Sequence, residues 1–322
     1  MTSRGSDRVS EPAEMSVAQR THTWLRLSLV GVVVVVFAAV AVESVRIGGI
    51  LPSVSHYYYS PARNALVGAL IAASMALLAL SGRNIESALL DLAAPLAPLI
   101  ALVPTRVVIT DVPGAAATCP AGWDECVPQE VIPDVVNGVT VYLAVLGILV
   151  VTGVVRAVKA GPSRPGEFGP RRRIAVAVVG GAVVGVGVLV AAVIPAATGQ
   201  RPLLTLVHFA AAGLFLLAVG SVAILNAFWR TDARQAPGWE RVVYIVIATL
   251  LLVDLAVAVW AVWFAQASTA VFWVEMVALA LIAAFFAVQT VQRRGDEDPP
   301  SLRAHVQRLA PLRPSLRASR GA

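Results

Sequence analysis

Ser53-Val54-Ser55-His56-Tyr57-Tyr58-Tyr59-Ser60-Pro61-Ala62-Arg63 is the densest run of polar and aromatic side chains in an otherwise apolar sequence. It is flanked by two apolar segments, 24–45 and 62–81. Each is long enough to cross a bilayer, whose ~30 Å hydrocarbon core takes about 20 helical residues. The run therefore belongs at or near a membrane surface. The same ruler gives eight candidate spans: 24–45, 62–81, 86–104, 135–158, 174–197, 203–228, 242–264 and 270–291. The third contains Asp91 and the prolines Pro95, Pro98 and Pro104. Membrane helices tolerate proline where neighbouring helices satisfy the freed carbonyls.

Composition agrees. Of 322 residues, 58% are hydrophobic and 14% charged, with a mean hydropathy of +0.78, where a soluble domain carries roughly 25% charge. Such a chain needs lipid as its solvent. The net charge of +6 is almost entirely arginine. It follows the excess of Lys/Arg on cytoplasmic loops, and no nucleic-acid partner is expected. Of the 25 basic residues, all but Arg46, Arg63, Arg106 and Arg201 fall on alternate segments that include both termini. The expected fold is all-α: a polytopic transmembrane helix bundle of about eight helices with N- and C-termini cytoplasmic. Residues 1–22 are expected to be a disordered cytoplasmic tail, 23–292 the bundle and 293–322 a disordered basic tail. The first apolar run lacks a cleavage site in a suitable place and reads as a retained helix rather than a signal peptide. Arginine bias and small apolar residues suggest a bacterial plasma membrane, with membrane lipids as the neighbours.

The loop 105–134 holds both cysteines, Cys119 and Cys126. They read as one disulfide in an oxidising space. Their spacing fits no zinc template, so neither metal nor cofactor is expected. Gly181 and Gly185 form a G-x-x-x-G pair that lets backbones approach closely. Packing within the bundle is the first reading, and a homo-oligomer through Gly181 and Gly185 the second.

Ionisable groups inside a span cost about 2.5–3.5 kcal/mol each on insertion scales and invite a partner or a function. At 1.5 Å per residue, His208 and Glu275 lie roughly 8 Å below the outer helix ends, Tyr142 roughly 10 Å and Asp254 roughly 15 Å. Ser60-Pro61 reads as an N-cap followed by a first-turn proline. Arg63 then sits at the positive end of the helix dipole and needs an anion. By depth, Glu43 or Glu275 should pair with it. Tyr57, Tyr58 and Tyr59 fit an aromatic belt at headgroup level, although three consecutive tyrosines on a helix cannot all face lipid. No histidine pair at i, i+4, no nucleophile beside a base in sequence and no phosphate-binding loop is present.

The pattern Ser53-x-Ser55-x-Tyr57-Tyr58-Tyr59-x-Pro61-x-Arg63, followed by Val67-Gly68, resembles the hallmark of a family of uncharacterised bacterial integral-membrane proteins. Asp91-Leu-Ala-Ala94 with Ala101-Leu-Val-Pro-Thr105, His208-Phe-x-x-Ala and Phe272-Trp273-Val274-Glu275 are similar to further segments of that family. More distantly the arrangement resembles the damage-regulated autophagy modulator family. The resemblance covers the first three and last three spans and implies a six-helix pattern, with the fourth and fifth helices and the cysteine loop inserted. It brings no activity with it.

Three functions follow from these residues. The favoured one is an outward-facing pocket lined by His56, Tyr57, Tyr58, Tyr59, Arg63, His208 and Glu275, holding a lipid headgroup or small polar ligand. The second is a proton-coupled secondary transporter with Asp254 as its ion site. The third is an intramembrane zinc hydrolase using His56, His208 and Glu275.

Overall fold

The computed structural model describes residues 17–80, 85–113, 118–159, 202–228, 238–263 and 269–293. Its helices are α1 (Val17–Ile47), α2 (Arg63–Ala79), α3 (Ile85–Ala93), α4 (Leu96–Leu102), α5 (Ile132–Lys159), α6 (Pro202–Phe228), α7 (Gly238–Trp263) and α8 (Ala270–Gln292). Two short strands, β1 (Val107–Val108) and β2 (Glu125–Cys126), pair antiparallel with Val107 opposite Cys126. The Cys119–Cys126 disulfide is formed and clips this hairpin.

Among the described residues, six helical stretches are long and apolar enough to cross a membrane, α3 and α4 counting as one. This is the all-α make-up of a multi-pass membrane protein. Apolar side chains surround each helix, as expected where the outer solvent is lipid. α1 buries a stripe of Leu29, Val33, Val36 and Val40 yet exposes Val34, Val35 and Val42. In water that outer face would cost stability; in hydrocarbon it costs none.

The helices close a ring. α1 packs on α2, α2 on α4, α3 and α4 on α6, α6 on α7, α7 on α8, and α8 back on α1. α5 stands outside it, held mainly by α4. α1 ends, and α2, α5, α6 and α8 begin, at one end of the bundle, called here the lid end. Around the opposite end Leu77, Leu90, Val222, Tyr244, Leu251, Phe285 and Phe286 form a closed apolar core.

Some boundaries differ from the sequence reading. α1 begins at Val17, inside the expected tail. The third span is two helices, broken at Ala94-Pro95 because proline has no N–H to continue the ladder. The Tyr142 hydroxyl of α5 donates to the Pro95 carbonyl at the break, at 2.9 Å. α2 begins at Arg63, two residues after Pro61. The Ser60 hydroxyl accepts from Ala62 N at 3.3 Å and donates to Tyr57 O at 2.8 Å, shaping a turn ahead of the helix. The candidate span 174–197, with Gly181 and Gly185, lies outside the described residues.

α5 reaches α4 through Gly138, where a Cβ would stand 3.0 Å from Leu102 Cδ2. Gly138→Val should therefore lower thermal stability in detergent by about 1–3 kcal/mol. Gly138→Ala should be nearly neutral, because the Leu102 side chain can yield.

Candidate functional site

Between α1 and α2 the chain forms a 3-10 helix, Val54–Tyr59, that lies across the lid end. At three residues per turn, consecutive side chains point about 120° apart. The three tyrosines accordingly go three ways. The Tyr57 hydroxyl meets Ser44 of α1 at 2.5 Å and accepts from Leu51 N at 3.3 Å. The Tyr58 hydroxyl accepts from Arg63 at 2.9 Å. The Tyr59 hydroxyl donates to the Thr105 carbonyl at 2.5 Å. Tyr57 and Tyr58 are buried, so these rings act as inward fasteners rather than an aromatic belt.

The lid is fixed from below by Glu275 of α8. Its carboxyl accepts from the Ser53 hydroxyl at 2.7 Å and from Val54 N at 2.6 Å, and its other oxygen lies 3.1 Å from Ser55 Oγ. Ser55 Oγ also stands 2.9 Å from His208 Nε2. His208 Nδ1 is 2.6 Å from the Val103 carbonyl, which can only accept, so Nδ1 carries a proton. One hydroxyl proton cannot serve both Glu275 and His208. Either Glu275 is a neutral acid donating to Ser55, which donates to neutral His208, or His208 is a cation donating to Ser55, which donates to the carboxylate. Both states hold the same number of protons, and a concerted shift along Glu275–Ser55–His208 interconverts them.

Arg63 does not join this chain. It pairs with Asp134 in the first turn of α5, at 2.9 Å, and its guanidinium lies over the Tyr58 ring at 4.3 Å. This corrects the expected pairing with Glu43 or Glu275. Glu43 takes both bonds from Arg46 on its own helix, at 2.5 and 2.8 Å, and Glu275 is occupied by the lid.

Beneath the lid lies a cavity of about 290 Å³ inside the ring. Its walls are apolar side chains of α1, α2, α4, α6, α7 and α8. The polar groups facing it are Ser55, Tyr58, His208 and Glu275 at the roof and Asp254 at the floor. Asp254 is the innermost lining residue of α7, one turn beyond the buried Leu251 of the apolar core. From Asp254 to Val262 the cavity spans roughly 12 Å along α7. α6 and α7 touch at Gly213 and Leu255. Beyond that point Leu206, Val259 and Val262 line the cavity while 58%, 52% and 41% exposed, so among the described residues the cavity has an open side there.

Of the seven residues expected to line a pocket, His56, Tyr57, Tyr59 and Arg63 do not line this cavity. His56 Nε2 is 3.2 Å from the Arg106 carbonyl. With both His208 ring nitrogens engaged, the trio His56, His208 and Glu275 is not a ligand set. Among the described residues no three His, Cys, Asp or Glu side chains are grouped to hold a metal.

A second polar cluster, absent from the sequence reading, sits at the opposite end. Buried Glu86 of α3 accepts from Gln289 at 2.7 Å and from Arg293 at 2.5 Å. Arg293 also donates to Asn226 at 3.2 Å, and the Tyr244 hydroxyl donates to Gln292 at 2.6 Å. The signal that could have found it is the lone Glu86 at a helix start, matched by Arg293 at a helix end. No family model, curated protein or solved structure matches this chain.

Glu275→Ala leaves the Val54 N–H and the Ser53 hydroxyl without their acceptor and Ser55 without one of its partners, and should cost about 1–3 kcal/mol or more. Glu275→Gln keeps one acceptor oxygen and should lose less. Thermal unfolding of the two variants in detergent decides this, and an Ala variant as stable as the wild type would remove the carboxyl as the lid's anchor. His56 carries a pH expectation. Burial lowers its pKa from 6.5 to about 4, against opposing contributions from the Arg106 carbonyl and Asp111. The opened state then binds the extra proton, so closure of the lid is at full strength above pH 6.5 and weakens as pH falls toward 4. Amide exchange at 54–59 should speed up across that window in the wild type and stay level in His56→Gln.

Proposed function

We propose that this is a multi-pass membrane protein that binds an amphiphile, with the apolar chain in the ring cavity and the polar head at Ser55, His208 and Glu275. The observation that carries this reading is the cavity's shape. It is capped by a hydrogen-bonding roof, walled by apolar side chains and, among the described residues, open at its side between α6 and α7. Its volume is near the lower end for ligand sites, about 300 Å³. A lipid would enter sideways, head toward the lid, without crossing water.

Orientation and localisation belong to the same proposal. Most basic residues belong to the segments that join or extend the helix ends opposite the lid, and on that rule this end and both termini are cytoplasmic and the lid is outside. α5 ends at the opposite end from where α6 begins, which suits an eighth crossing within 160–201. We place the protein in the bacterial plasma membrane, with the family that shares the 53–63 motif. In support, the ring closes without α5, in keeping with the six-helix pattern that family implies. The transporter reading gains polar groups at the opposite end in Glu86 and Arg293. However, Tyr244, Leu251 and Phe285 fill the space between them and the cavity, so it ranks second.

Ala258→Trp fills the cavity from α7 without touching the roof. Mass spectrometry of lipid retained through purification should find a defined lipid on the wild type and at least tenfold less on the variant. Equal lipid on both would reject the cavity as its seat.

A further inference from the structure

The roof accounts for one end of a ligand. The floor makes its own demand. Asp254 is 7% exposed, and its Oδ2 is fully enclosed with no hydrogen-bond partner among the described residues. The other residues of α7 that line the cavity, Leu255, Ala258, Val259 and Val262, carry no side-chain donor. Leaving a carboxyl in such a place is costly unless something donates to it. The structure supplies donors freely elsewhere: Glu43, Glu86 and Glu275 each take at least two hydrogen bonds from the protein. Glu240 at the start of the same helix also has an oxygen without a partner among the described residues, but of the two only Asp254 faces the space where a ligand would lie.

We propose that Asp254 is the receptor for a cationic nitrogen, so that the ligand class is a lipophilic amine whose ammonium lies at the cavity floor and whose chain runs toward the roof. This rests on the cavity reading above and changes it in one respect: the charged end of the ligand lies at the floor, and the roof takes a hydroxyl or other polar group at the far end of the chain. The chemistry is specific. One carboxyl among hydrocarbon walls lacks the several oxygens a metal cation needs. An ammonium needs only one strong acceptor, and its alkyl chain gains from the apolar wall. Ligands of the same length bearing a hydroxyl or a carboxylate in place of the ammonium give up, respectively, charge assistance and the sign of the charge.

The test compares decylamine, 1-decanol and decanoate on the full-length protein in lipid nanodiscs, by calorimetry. The wild type should bind decylamine about tenfold or more tightly than 1-decanol, the ratio a charge-assisted bond provides, with decanoate weakest. Asp254→Asn should erase the preference, bringing the decylamine-to-decanol ratio close to one. Elution as a single species and an unchanged helical spectrum would show that the variant is folded; should it fail that check, Asp254→Glu, which keeps the charge and should keep the amine preference, takes its place, and loss of that preference would count against the proposal. If both decyl compounds bind the wild type equally and Ala258→Trp abolishes both, the amine inference is overturned while the cavity reading stands. If neither binds, or Ala258→Trp changes nothing, the cavity reading itself fails.

Discussion

The bond on which the rest of the structure depends joins the Glu275 carboxyl to the start of the lid. Glu275 belongs to the last described helix, and its partners Ser53, Val54 and Ser55 lie more than 200 residues earlier in the chain. A further bond, from Phe272 N to the Pro52 carbonyl at 3.0 Å, runs beside it. Together they tie α8 to the α1–α2 connection and so close the ring between its first and last members. A carboxyl accepting a backbone N–H and the Ser53 hydroxyl, and bonded to Ser55 through its other oxygen, in a place with little water forms bonds stronger than the same contacts would be at a wetted surface. The cavity has a roof because this attachment holds the 3-10 helix flat across the lid end.

A ring that is tight at one end and hollow at the other follows from its residues. Toward the opposite end the helices meet through small side chains, among them Ala73, Ala76, Ala94, Ala223 and Ala248, with Tyr244, Phe285 and Phe286 filling the centre. Toward the lid Tyr58, Phe209 and Phe215 line the corresponding space without filling it. Hydrophobic attraction does not draw helices together in lipid, where packing and hydrogen bonds do. The lid end is therefore held by polar attachments around its rim, which leave space in the middle.

Depth was legible in the sequence and direction was not. The fixed rise of a helix put His208 and Glu275 at one level below the lid, and they meet through Ser55. Which way a residue faces depends on how neighbouring helices are turned, and apolar surface on every side of each span gives no clue to that. Arg63 was assigned an acid at its own depth, whereas it takes Asp134, which opens a helix read as a later, separate span. Ser55 and His208 are 153 residues apart, and no local spacing links them. Glu86 and Gln289 were hidden for a different reason: each sits at the margin of an apolar run, where a polar residue normally marks the end of a span. The hollow itself has no sequence signal, being the absence of side chains at a place only the assembled ring defines.

The lid's 3-10 geometry has a consequence for how this segment can vary. Because its three rings radiate to α1, to Arg63 and to the loop between α4 and β1, each depends on its angular position more than on its neighbours' chemistry. Adding or deleting one residue between Ser53 and Ser60 would rotate every later ring by a third of a circle and break all three attachments together. Exchanges of side chain can be absorbed singly, but changes of length cannot, and the six-residue span from Val54 to Tyr59 behaves as a gear with fixed teeth.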